Sequence, residues 1–203
     1  MNDEMIVATG NSGKLKEILD FFSDLPFTLK YLKDYWNPVP DIPENGKTFY
    51  ENASEKAQWV FSRTGIKTLA DDSGLEVDFL QGRPGVRSAR FAGEPKSDKK
   101  NIVRLISLLR HCPPDKRTAR FKCVLVLKLS ICEEIVAEGV CEGRIDFSAK
   151  GNNGFGYDPV FIPQGFSETF AQLESSVKNK ISHRGKALEI IKEKIYERYS
   201  FNL

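Results

Sequence analysis

Short apolar runs alternate with stretches of helical spacing along this 203-residue chain, and the alternation predicts an α/β protein. Three observations carry that expectation. Met5-Ile6-Val7-Ala8-Thr9 has the length and composition of a buried strand, and Leu15, Ile18, Leu19 and Phe22 follow it at helical spacing. Arg120 to Leu129 and Ile135 to Val140 are strand-like runs around a Cys-Glu-Glu turn, the pattern of a hairpin. Leu188, Ile191, Ile195 and Tyr199 make an apolar stripe on a final helix whose other face is Glu and Lys.

The first strand and helix meet at Gly10-Asn11-Ser12-Gly13-Lys14, a turn that aims backbone N–H groups outward. Those donors, the positive end of the helix and the Lys14 ammonium together suit a phosphate. The turn is not a Walker A loop, which needs Gly where Ala8 stands and Ser or Thr where Leu15 stands. An N-capped helix with a glycine turn would use the same residues. Pro38 to Pro43 carries three prolines and makes a loop, after which Glu44-Asn45-Gly46 turns into a helix through Phe49, Ala53, Ala57 and Val60. Glu44 is thus a loop carboxylate just ahead of a helix.

In Thr68-Leu69-Ala70-Asp71-Asp72-Ser73-Gly74-Leu75 an apolar run ends in two adjacent carboxylates and a Ser-Gly turn. A strand that stops there holds its acids at a rim. Neighbouring carboxylates repel and lose hydration on burial, so a packed protein groups them chiefly where a cation compensates. Mg²⁺ fits that role, because it takes a few carboxylates, keeps several waters and draws its other oxygens from a phosphorylated substrate. An ordinary turn would also use Asp, Ser and Gly.

Beyond the acids, Leu75 to Leu80 nearly alternates, and Gly82 to Arg90 gives a turn followed by three arginines that face phosphate or solvent. Lys99 to Leu109 has helical spacing and is closed by Pro113-Pro114. Gly151 to Pro159 brings three glycines, Phe155, Tyr157 and Asp158 ahead of a strand at Val160-Phe161-Ile162. Glycines let a backbone approach a ligand closely, and an aromatic face can stack on a base; a hairpin loop covering the core would look the same. Lys178 to Gly185 opens the last helix, with Ser182 as the N-cap and His183 and Arg184 on the first turn, where both can donate hydrogen bonds.

Thirty Lys and Arg against 28 Asp and Glu leave a net charge of +2, which does not mark a dedicated nucleic-acid or membrane-surface binder. An RNA-binding reading of Arg87 to Phe91 and the basic last helix has little charge behind it. Cys112, Cys123, Cys132 and Cys141 are widely spaced and His111 and His183 lie far apart, so no zinc site is expected. No apolar run is long enough for a bilayer and Asp3 and Glu4 do not suit a signal peptide. The expectation is a soluble, cytoplasmic protein with free buried thiols.

Five motifs in order give the chain a family resemblance: Ala8-Thr9-Gly10-Asn11 with Lys14 and Glu17; Thr48-Phe49 with Glu51-Asn52-Ala53; Ala70-Asp71-Asp72-Ser73-Gly74-Leu75; Gly154-Phe155-Gly156-Tyr157-Asp158-Pro159; and Ser182-His183-Arg184. Gly82 to Gly93, with Pro84-Gly85 and Ser88-Ala89-Arg90-Phe91, fits the same pattern. Together they resemble the inosine triphosphate pyrophosphatase family. The resemblance implies a single mixed α/β domain over residues 1–203, with an elongated central β-sheet flanked by helices and two lobes bordering an active-site cleft, usually in a homodimer. It implies Mg²⁺-dependent attack of water at the α-phosphorus of ITP, dITP or XTP, giving a nucleoside monophosphate and pyrophosphate.

Residue by residue, the resemblance implies that Thr9, Gly10, Asn11, Ser12, Gly13 and Lys14 hold the triphosphate. Asp72 becomes general base and Mg²⁺ ligand, with Asp71 beside it and Glu44 completing the carboxylate set, and Ser73 contacts substrate. Phe155, Gly156, Tyr157 and Asp158 form the nucleoside wall, while Lys178, His183 and Arg184 approach the phosphates and the base. A non-hydrolytic nucleotide sensor is the alternative, although binding alone gains little from acids beside a polyanion. Nucleic acid and membrane partners are not expected.

Overall fold

The computed structural model describes residues 3–22 and 27–200, excluding the side chains of Asp3, Tyr199 and Ser200. Tyr199, the last member of the expected stripe, therefore has a side chain outside the described residues. Six strands, β1 (Asp3–Ala8), β2 (Phe27–Tyr31), β3 (Lys67–Val77), β4 (Thr118–Lys128), β5 (Glu134–Ile145) and β6 (Phe161–Pro163), lie in the order β2-β1-β3-β4-β5-β6. The helices flanking this sheet are α1 (Ser12–Phe21), α2 (Leu32–Tyr35), α3 (Phe49–Thr64), α4 (Asp98–Leu108), α5 (Ser175–Ile181) and α6 (His183–Ser200). The sheet is mixed: β1 runs parallel to β2 and β3, whereas β5 and β6 are antiparallel, with Ile145 opposite Phe161.

Two compact units divide the chain, residues 1–72, 123–139 and 184–203 in the first and 73–122 and 140–183 in the second. Burial of β-branched and aliphatic side chains explains the first core, where Met5, Val7, Leu69, Leu125 and Leu127 from the strands meet Ile18, Leu188, Ile191 and Ile195 from α1 and α6. The expected stripe of α6 thus packs as read, through Ile195. On the same unit, Trp36 packs against Trp59 of α3 with ring centroids 5.6 Å apart, and the Arg63 guanidinium lies 3.8 Å from the Trp59 ring. The second core gathers Leu75, Val77, Leu105, Phe121, Tyr157, Phe161 and Phe170, with Phe121 and Phe161 edge-to-face at 4.7 Å.

Two expectations need correction. The Asp-Asp-Ser-Gly stretch is not a turn, because β3 continues through it to Val77. What ends near the acids is β1: its last ladder pair is Ala8 with Ala70, so Asp71 follows immediately after that edge has run out. The last helix starts as read: Ser182 is extended (φ −69°, ψ 157°), the backbone of an N-cap, and α6 begins at His183, while residues 175–181 ahead of it form the separate α5. Cys112, Cys123 and Cys141 are buried free thiols as expected, but Cys132 is exposed, since it stands in the turn between β4 and β5.

Candidate active site

Within the first unit, the short connection from β1 to α1 is organised by its own side chains. Asn11 caps α1 by accepting the Lys14 N–H at 3.0 Å, and the Thr9 hydroxyl accepts the Asn11 N–H at 3.2 Å. Gly10, Asn11 and Ser12 are exposed and Thr9, Gly13 and Lys14 half-buried, so the positive end of a ten-residue helix opens at this turn.

Lys14 leans from that first turn onto Asp71, its Nζ 2.8 Å from Oδ2. Asp71 is 1 % exposed, and it also lies 3.6 Å from Arg184 Nη2, while Arg184 Nη1 pairs with Glu17. Lys56, reaching in from α3, donates to the Asp71 carbonyl at 2.9 Å and pairs with Glu44. Asn52, one turn earlier on α3, donates to Asp72 Oδ2 at 2.9 Å. Lys14, Lys56 and Arg184 thereby meet four carboxylates, those of Glu17, Glu44, Asp71 and Asp72.

The two neighbouring acids titrate in opposite directions. Burial acts to raise the Asp71 carboxyl, but Lys14, then Arg184 and Lys56, outweigh it and hold the group well below the usual carboxylate range. Asp72, 7 % exposed, is pushed up to about 6: burial dominates, Lys14, the Asn52 amide and Lys56 oppose it, and the like charge of Glu44 adds to it. A carboxylate poised near neutrality can accept a proton in the working pH range, so Asp72 suits a general base and Asp71 a fixed charge. Arg184 stays protonated: burial opposes its charge, but Asp71 and Glu17 more than compensate. Cys123, beneath the same group, is pushed up to about 12 by burial and is inert as a nucleophile.

Among the described residues no three His, Cys, Asp or Glu side chains stand together at metal-binding spacing. The donor set nonetheless fits a hard divalent ion such as Mg²⁺. Asp72 and Glu44 are oxygen donors that repel each other, the local carboxylates outnumber the cations, and Mg²⁺ commonly takes only one or two carboxylates with water and phosphate oxygens completing its shell.

The second unit assembles the remaining expected residues. Lys178, 6 % exposed, places Nζ 2.8 Å from Asp158 Oδ2 and 4.8 Å from the centre of the Phe155 ring. Asp158 also accepts the Phe155 N–H at 2.9 Å, and the Gly156 N–H donates to Asp98 at 2.8 Å. Gly154 has φ +76°, and a Cβ there would collide with the Asp158 carboxylate, which explains the glycine. Tyr157 is buried in the second core and its hydroxyl donates to the Ser88 carbonyl at 2.9 Å. His183 is buried and stacks on Phe121 at 4.7 Å and 10°. Ser73 is half-buried within β3.

Sequence reasoning gave no role to Glu17, Asn52 or Lys56. A signal was present: Asn52 and Lys56 are four apart on the same face of α3 as the buried Ala53, Ala57 and Val60, and polar residues on an apolar face need partners.

Known proteins resemble the chain over nearly its whole length. The chain is 48% identical over 193 residues to a protein of Shouchella clausii named dITP/XTP pyrophosphatase, covering 95% of this chain and 96% of the relative. It is 45% identical over 186 residues to a protein of the same name from Oceanobacillus iheyensis, covering 92% and 94%. The solved structure of a HAM1 protein from Coxiella burnetii superimposes with a TM-score of 0.88 at 39% identity, covering 96% of this chain and 98% of the other. Residues 5–194 match the sequence pattern of the Ham1 family, and the chain belongs to that family.

Proposed function

We propose that this protein is a nucleoside triphosphate pyrophosphatase that hydrolyses the non-standard purine nucleotides ITP, dITP and XTP to the monophosphate and pyrophosphate. The observation that carries the reading is the acid pair after the end of the β1 ladder: Asp71 is neutralised by Lys14 and Arg184, while Asp72 is raised to about 6. The names of the relatives, dITP/XTP pyrophosphatase, support it.

In this reading Asp72 takes the proton of a water that attacks the α-phosphorus, and the bond to the bridging α–β oxygen breaks to release pyrophosphate. Thr9 to Lys14 hold the polyphosphate at the N-terminus of α1. Asp72 and Glu44, with Asp71 beside them, would hold Mg²⁺, which supplies charge neutralisation for the phosphate oxygens. Phe155 stacks on the base, Gly156, Tyr157 and Asp158 shape its wall, and Ser73 and His183 contact the substrate. A 6-oxo purine presents an acceptor where adenine presents an amino donor, and Lys178 and Arg184 only donate. A donor left facing a donor costs about 1–3 kcal/mol, or roughly tenfold to hundredfold per contact. We further place the protein in the cytoplasm as a homodimer, acting on the free nucleotide pool without nucleic-acid or membrane partners.

The test is a nucleotide panel assayed for orthophosphate with and without added inorganic pyrophosphatase. ITP, dITP and XTP should give signal only when the auxiliary enzyme is present, with ATP close to background. Equal turnover of the four ordinary triphosphates, or orthophosphate released directly, overturns the proposal. Size-exclusion chromatography with light scattering should return a dimer mass.

A further inference from the structure

The loop bearing Glu44 is fastened to α3 by side chains of that helix. The Asn45 N–H donates to Glu55 Oε2 at 3.0 Å, the Thr48 N–H to Glu51 Oε2 at 3.3 Å, and the Gly46 N–H to Asn52 Oδ1 at 2.7 Å. Asn52 is 3 % exposed and spends its other end on Asp72, donating from Nδ2 to Oδ2 at 2.9 Å. Chemistry dictates which way this amide points. A backbone N–H only donates, so the atom facing Gly46 must be the amide oxygen, and the NH₂ must face the carboxylate. Gly46 admits no side chain, since a Cβ would stand 2.5 Å from Glu51 Cβ and 2.9 Å from Asn52 Oδ1. Loop, amide and carboxylate therefore form one chain of contacts with the direction of every donor fixed.

We propose that Asn52, held by the Gly46 N–H, is a positioning residue for the reaction: it orients the Asp72 carboxylate and ties the Glu44 loop to it. The inference rests on the reading of Asp72 as the proton acceptor. A buried amide with both ends engaged cannot rotate without breaking a hydrogen bond at each end, so the carboxylate plane and the loop move together or not at all. Asn52 touches neither water nor substrate in this scheme and acts only through Asp72 and the loop.

Asn52→Asp can still accept from Gly46 but sets a second carboxyl against Asp72 in place of the amide donor, whereas Asn52→Ser withdraws the donor without adding charge. Both should lower kcat for ITP with KM nearly unchanged, Asn52→Ser roughly 10- to 100-fold, the weight of one hydrogen bond to a charged group. In an Asp72→Asn background either change should cause no further loss. The double variant restores the contact with its polarity reversed, so without metal or nucleotide Asp72→Asn should raise the melting temperature more in the Asn52→Asp background than in the native one. Gly46→Ala should reproduce the kcat loss independently, and Asn52→Ser is read the same way as Asn52→Asp should the latter fail to fold. Full kcat in Asn52→Asp or Asn52→Ser, beside an inactive Asp72→Asn, overturns the inference and leaves the proposed function standing. A further tenfold loss in the Asp72→Asn background also overturns it, because Asn52 would then act outside Asp72. An active Asp72→Asn overturns both.

Discussion

Asp71 and Asp72 share a backbone and differ in almost everything that follows from it. Successive side chains of a strand point to opposite faces, so one carboxylate meets Lys14 and Arg184 while the other meets the Asn52 amide. Their contributions to stability have opposite signs. Asp71 has a depressed pKa when folded, so its contribution is present above the unfolded value of about 4 and is lost as pH falls. Asp72 is raised to about 6, so the folded apoprotein holds its proton more tightly, and stability falls as pH climbs from about 4 to about 6. Asp72→Asn should therefore stabilise the apoprotein at pH 7, by on the order of 1–3 kcal/mol, while lowering turnover at least ~10²-fold. Asp71→Asn should destabilise it by on the order of 3 kcal/mol, because buried cations lose their counter-charge. Urea titrations at pH 4 and 7 check both; equal shifts of the same sign would refute the assignment. The acid pair was legible in the sequence because adjacent carboxylates after an apolar run demand compensation. The compensating cations were only partly legible: Lys14 was noted for phosphate, and Lys56 lies in a helix where spacing alone does not show which lysine turns inward.

Element boundaries record a different limit. Asp-Asp-Ser-Gly satisfies every local preference for a turn, yet β3 passes straight through it, because the place of the strand within the sheet, between β1 and β4, overrides the local preference. The break at Ser182 is the converse case, where local preference and structure agree: serine favours the N-cap position, and its extended backbone separates α5 from α6. The strands with strong apolar runs, β1 and β4, and the helix with the clearest stripe, α6, were read correctly because their periodicity reflects the core they enter. A test at this scale lies at Gly143, opposite Pro163 at the β5–β6 pair, where a Cβ would run into the Ile162 carbonyl and the Phe161 ring. Gly143→Ala should cost about 1–3 kcal/mol through the displaced strand and ring, read as a lower urea midpoint; an unchanged midpoint would show that β6 yields without cost.

At the scale of the molecule, the chain crosses between its two units at 72/73, 122/123, 139/140 and 183/184, and each unit is built from separated segments. Neither is a continuous piece of sequence, so neither can be excised as a fragment, and β3, β4 and β5 each contribute residues to both. The expected outcome is one cooperative thermal transition, with calorimetric and van't Hoff enthalpies equal; two resolved transitions would refute it. The chain's near-neutral balance of charges says nothing about this, and composition alone does not reveal how its segments interleave. Both indoles of the protein, Trp36 and Trp59, belong to the first unit. Indole emission therefore watches only that half come apart, whereas circular dichroism sums over every helix, and a single cooperative transition demands that the two curves superimpose; a lag between them would name the half that lets go first.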